Sequence, residues 1–145
     1  MATVELRFSA LPEHVRTARL VAAAVARRAG VDEAVLDEVR LAVGEACSRA
    51  VGLHQGAGTT APVKVVLIEE EKQFSIEVGD EAPRSAPGER APGGSAHEVD
   101  AETEEDEMGL AVISGLVDDV EVTAGEHGGL IRMTWPTTPP ATALA

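Results

Sequence analysis

The sequence predicts a two-layer α+β sandwich, and three observations carry that expectation. Near the N-terminus Val4, Leu6 and Phe8 alternate with Glu5 and Arg7, the two-residue period of a strand with one face buried. Further on, Val35, Val39, Val43, Ala46 and Ala50 recur at spacings of three and four, the period of a helix with a core-facing stripe. The remaining apolar runs come in two pairs, each joined by a short turn. Helices together with antiparallel strand pairs pack as one layer on another.

Taken in order, the first strand covers Val4–Phe8. Pro12 sits where a helix starts, and Ala-rich sequence runs to Arg27 and Arg28, with Gly30 as a stop. Asp32 reads as an N-cap with Glu33 in the first turn, and the second helix runs to about Val51. Strands Val63–Ile68 and Phe74–Val78 follow, joined by a polar turn of three Glu, Lys72 and Gln73. Met108–Leu116 reads as a short buried helix. Val120–Thr123 and Leu130–Trp135 form a closing hairpin around Gly128 and Gly129. Between the strands and that last helix, Glu81–Glu107 consists largely of Pro, Gly, Ser, Ala and acids, with Val99 its one large apolar residue. Such a segment buries too little to offset its ordering entropy, so a long mobile loop is expected at 81–107. The low-complexity tail 136–145 is expected to fray. The organisation is therefore one domain over residues 1–135, with no internal repeat.

Composition excludes several functions. The 145 residues carry a formal net charge of −13, which opposes binding to nucleic acid or to an anionic membrane surface. Seven of the acids cluster between Glu98 and Glu107, so the rest of the domain is only mildly acidic. The longest apolar stretch, Leu20–Ala26, is far short of the roughly 20 residues that span a bilayer. A single cysteine, Cys47, cannot form an internal disulfide and fits a reducing, cytoplasmic location. On the core face of the second helix, it reads as a small buried hydrophobe.

Few residues point to chemistry by spacing alone. Glu45 and Arg49 stand four apart on the second helix beside its apolar face; that spacing suits a surface ion pair and equally a carboxylate base at the rim of a pocket. Asp80 ends a strand, where Asp is a turn former or presents a carboxylate to a ligand. Gly109 opens a helix after the long loop, which lets backbone amides approach a phosphate, although Glu104–Glu107 would repel one. His14, His54, His97 and His127 share no metal-ligand spacing, so no metal site is assigned. No Walker or Rossmann glycine pattern is present.

The runs Arg7-Phe8-Ser9-Ala10-Leu11, Ala18-Arg19-Leu20-Val21 and Val43-Gly44-Glu45-Ala46-Cys47-Ser48-Arg49-Ala50-Val51 resemble the RsbW-like anti-sigma-factor serine kinases of bacterial sporulation and stress response. The stretch from Glu105 through Val122 looks like that family's last helix and the strand after it, and Gly128–Met133 its final strand. The resemblance covers Val4 to about Trp135. It implies the Bergerat-type fold of the histidine-kinase/gyrase-like ATPases, with helices on one face of a mostly antiparallel sheet.

It also implies site residues. The family's first motif is Glu-x-x-x-Asn, a catalytic base and a magnesium ligand; here Glu45 matches the base and Arg49 replaces the Asn. A guanidinium offers Mg²⁺ no oxygen donor, but it can contact phosphate directly. The second motif, Asp-x-Gly-x-Gly, reads adenine; Asp80 matches, while Ala82 and Arg84 replace the glycines. In the third, Gly-x-Gly, Gly109 matches and Glu107 replaces the earlier Gly. The resemblance thus makes Arg49, Asp80 and Gly109 nucleotide-binding residues of a pocket with weakened grip: ATP bound weakly or not at all, and magnesium not expected. On the first helix, Arg19, with His14 and Val15, matches the face that docks a sigma factor and its competing antagonist, a protein of the sulfate-transporter/anti-sigma-antagonist type; a homodimer is also allowed. Three readings follow: an anti-sigma regulator that sequesters a sigma factor, an active ATP-dependent serine kinase of the antagonist, and an adaptor that uses the same helix for another regulator.

Overall fold

The computed structural model describes residues 2–83 and 109–137. The expected loop, with Arg84 and Glu107, and the tail fall almost entirely outside the described residues. Five strands and three helices make up the rest: β1 Ala2–Phe8, α1 Val15–Ala29, α2 Leu36–Ala57, β2 Val63–Glu69, β3 Gln73–Asp80, a helix α3 at residues 109–116, β4 Asp119–Gly125 and β5 Gly128–Pro136.

The strands form one open sheet in the order β1-β2-β3-β5-β4, every neighbouring pair antiparallel. Register lines the apolar residues into rows that cross all five strands. Val4, Leu67, Ile76, Met133 and Val120 form one row, and Leu6, Val65, Val78, Ile131 and Val122 the next. A two-residue period sends these to one face, where α1 lies over β2 and α2 over β3. Phe74 and Trp135, both fully buried, stack at 6.4 Å between ring centres. Val39, Val43, Ala46 and Ala50 are all buried as the helical spacing required, while Val35 is half-buried in the turn before α2. The opposite sheet face is polar: Arg132 reaches Glu77 at 3.3 Å and Glu70 at 3.2 Å.

Three features differ from the sequence reading. Both long helices are entered through a single 3₁₀ turn, Pro12–His14 and Glu33–Val35. Asp32 does cap, but it caps that turn, its Oδ1 accepting from Ala34 N at 3.0 Å. The second correction concerns α2, which does not stop near Val51. It passes Gly52 and ends at Gly58, whose φ of 68° closes it left-handed. The cause is His54, which continues the buried stripe one turn beyond Ala50. Third, α3 is not buried all round. Ile113 is its one fully buried side chain among the described residues, while Val112 is exposed. A helix that packs on one side only needs only one apolar stripe. Its end is held by Trp135, whose indole Nε1 donates to Leu116 O at 3.0 Å. No helix among the described residues is long and apolar enough to cross a membrane.

Candidate functional site

The site begins with the middle of α2. Glu45 and Arg49 project one turn apart at its edge, Glu45 exposed and Arg49 half-buried and already engaged. Glu45 faces α3: a Cβ added at Gly109 would lie 3.8 Å from Glu45 Oε2. The fold therefore joins two residues 64 positions apart in sequence, the candidate base and the glycine of the third motif.

Asp80 ends β3 and is 6% exposed. Its Oδ1 accepts from Ala82 N at 3.0 Å, the Asx-turn geometry by which a short carboxylate bends its own backbone. Two further elements hold this strand end. His54 Nε2 lies 2.9 Å from Glu81 N, and His54 Nδ1 lies 2.9 Å from Ala61 O. A backbone N–H can only donate and a carbonyl can only accept. The imidazole is therefore neutral, with its proton on Nδ1. From the other side comes the β4–β5 turn. Gly128 has φ 123°, and a Cβ there would overlap Asp80 O. The backbone at Asp80 and Glu81 is thus clamped between the end of α2 and the last hairpin.

A second region lies on the outer face of the helix pair. Arg19 is exposed on α1 and drapes over α2, so that a Cβ at Gly44 would meet its Cδ at 2.9 Å. Arg16, Arg19 and Arg40 line a groove of about 460 Å³ with Leu20 and Leu41, the two leucines 59% and 56% exposed. Asp37 closes one side and pairs with Arg40. A neighbouring groove of about 520 Å³ runs from Pro12 and Arg19 to Gly44, Glu45 and Ser48. It connects the candidate docking face to the candidate base.

Of the residues that the sequence singled out, Glu45 and Gly109 come together, and Arg49 lies one turn from Glu45. Asp80 sits at the sheet end. Arg19 is on the exposed face. Val15, only 7% exposed, packs into the core and shows the groove no more than its edge. His14 is half-buried, its ring edge-on to Phe8 at 6.3 Å. Cys47 is fully buried, and desolvation pushes its thiol up to about 12, so it carries little thiolate at neutral pH. Among the described residues no three His, Cys, Asp or Glu side chains converge as a metal would need.

Sequence reasoning missed His54, Gly128 and the arginine groove. His54 was legible: it follows Ala50 by four residues, so it lies on the buried stripe once the helix is allowed to continue. The contact of Gly128 with Asp80 depends on β3–β5 pairing between segments far apart in sequence, and nothing local signals it.

Two comparisons with known proteins bear on this geometry. A family model described as a histidine kinase-like ATPase domain matches residues 8–135. The serine-protein kinase RsbW of Bacillus pumilus (strain SAFR-032) is 31% identical over 137 residues, covering 90% of this chain and 83% of that relative.

Proposed function

The chain belongs to the histidine kinase-like ATPase family and is RsbW-like, and from that premise we propose that it is an anti-sigma regulator working by partner switching. It sequesters a sigma factor on the outer face of α1 and α2 and releases it when an antagonist of the sulfate-transporter/anti-sigma-antagonist type takes the same face. One observation carries this reading. In a chain with net charge −13, three arginines and two exposed leucines converge on one groove. That combination suits an acidic, amphipathic segment of a partner: the guanidiniums take carboxylates, and the leucines accept the apolar side.

Arg19 is the anchor. It is exposed, reaches over Gly44 and lines both grooves. An interface Arg that becomes buried and paired costs at least ~2 kcal/mol when truncated, about thirtyfold in affinity. Arg19→Ala should therefore weaken capture of sigma factor and of antagonist together, measured by pull-down and titration against wild type. The melting temperature should stay nearly constant, because an exposed Arg contributes little to folding. Equal capture by both forms overturns the docking assignment and favours an adaptor for another regulator.

Nucleotide enters this reading as a weak or lost ligand. Asp80 retains a buried carboxylate at the sheet end, which can accept from an amino group such as that of adenine. Arg49 supplies no oxygen to a magnesium ion, so the residues in hand do not fit a magnesium-held triphosphate. The second reading is an active ATP-dependent serine kinase of the antagonist. The approach of Glu45 to Gly109 and the kinase name of the relative favour it. The two readings separate on magnesium-dependent nucleotide binding.

A further inference from the structure

The arginine groove has an occupant available within its own chain. Arg16 and Arg19 are exposed and stand three positions apart on α1, so two like charges share one helix face and repel. Among the described residues neither has a hydrogen-bond or ion-pair partner, while Arg40 across the groove is paired with Asp37. A guanidinium fork matches a carboxylate, and the sequence concentrates carboxylates in one place. Residues 98–107 carry seven acids and no base, with Val99 as the one large apolar side chain.

The ends of the groove fit that run. Residue 109 opens α3, and a Cβ added there would lie 3.8 Å from Glu45 Oε2. Glu45 lines the nearer groove together with Arg16 and Arg19, so the acidic run leaves the described structure at the near end of a path that leads to the arginines. From Glu45 back to Asp37 is eight positions of α2, about 12 Å along the helix axis. Ten residues of chain reach up to about 33 Å, enough to cover both grooves. Charge selects the farther one. Glu13 and Glu45 line the nearer groove, whereas the farther one holds three arginines against Asp37 and offers Leu20 and Leu41 to an apolar side chain.

We propose that the acidic run 98–107 occupies the arginine groove of its own chain and competes there with the partner. Tethering places the run at an effective concentration of about 1 mM. A contact of about 0.1 mM intrinsic dissociation constant then weakens any ligand of the groove about tenfold. A strong partner displaces the run and a weak acidic segment does not. The proposal regulates the docking face named above and rests on that reading for its consequence, but its test needs no sigma factor.

The test titrates the full chain with a labelled peptide of residues 97–108 at low salt. With all seven acids changed to their amides, the chain should bind the peptide about tenfold more tightly than wild type does. Arg16→Gln with Arg19→Gln in that variant should abolish the binding, and 0.5 M salt should weaken it sharply. Glu98→Gln, Asp100→Asn and Glu102→Gln alone leave the acids next to α3 in place and should give an intermediate gain, which keeps the test independent of how the full set affects that helix. Equal binding by wild type and both amide variants, no binding by any of them, or binding that survives loss of the two arginines would each overturn the proposal. Exclusion by wild type that grows with protein concentration would put the run on a second copy and overturn it also. If the peptide behaves as expected and no sigma factor is captured, the partner-switching reading falls alone; if sigma factor is captured and the peptide ignores the arginines, the self-contact falls alone.

Discussion

Gly128 shows how much one missing side chain can decide. Its φ of 123° lies where L side chains are strained, and any Cβ would overlap Asp80 O. The strain alone costs about 1–3 kcal/mol. The overlap adds to it, because the atom struck is backbone held within the sheet. Gly128→Ala should therefore lower unfolding free energy by more than that strain and displace the Asp80–Glu81 backbone. Chemical denaturation reads the first effect, and amide shifts at Glu81 and Ala82 read the second. Gly44 is a contrast. The atom a Cβ would meet there is Arg19 Cδ, part of a flexible side chain that can move. Two glycines that look alike in sequence thus differ because one faces backbone and the other faces a side chain.

The extension of α2 beyond Val51 ties three elements together through His54. Its ring accepts from Glu81 N and donates to Ala61 O, both at 2.9 Å, and it is fully buried. His54→Ala would leave a buried donor and acceptor unpaired and open a cavity. Each unpaired group costs about 1–3 kcal/mol, so a loss of at least ~2 kcal/mol is expected in denaturant unfolding. Glu81 should exchange its amide hydrogen faster as well. Nitrogen shifts of the ring should show the proton on Nδ1 in wild type. This element also marks how far the sequence could be read. Alternation placed the first strand, where burial on one face forces a two-residue period, and apolar runs paired around short turns placed the other four. Helix ends were less legible: Gly52 looks like a stop, but tertiary hydrogen bonds at His54 outweigh the ~1 kcal/mol that a helical glycine costs. Met108–Leu116 looked buried because Leu110, Val112, Ile113 and Leu116 are all apolar. Only packing showed that Val112 faces outward. For the site, the family resemblance singled out Glu45, Asp80 and Gly109 along the chain as candidates. It could not bring Glu45 to Gly109 or place three arginines on one groove, since both depend on how α1, α2 and α3 cross the sheet.

In the whole domain, charge is unevenly placed. Acids dominate the sequence, the groove between α1 and α2 is cationic, and a further cation, Arg49, stands beside the candidate base. On the proposed reading, the last of these is what sets sequestration apart from catalysis. A magnesium ion bridging a triphosphate needs oxygen donors from the protein, and at the Asn position of the first motif this chain offers a guanidinium. Calorimetry with ATP should therefore show heat that is weak or absent and that does not grow when magnesium is added. Arg49→Asn removes the positive charge and restores an oxygen one turn from Glu45. If the arginine is what disables the pocket, this variant should gain magnesium-dependent ATP binding, and with it transfer of phosphate to a serine of the antagonist becomes measurable. Asp80→Ala in that background should then abolish the gain, because it removes the carboxylate assigned to the base end of the nucleotide. Micromolar, magnesium-dependent binding by wild type would reverse the assignment. Arg49 would then be a phosphate contact rather than a block, and phosphate transfer to the antagonist by wild type would be the measurement that decides for the kinase reading.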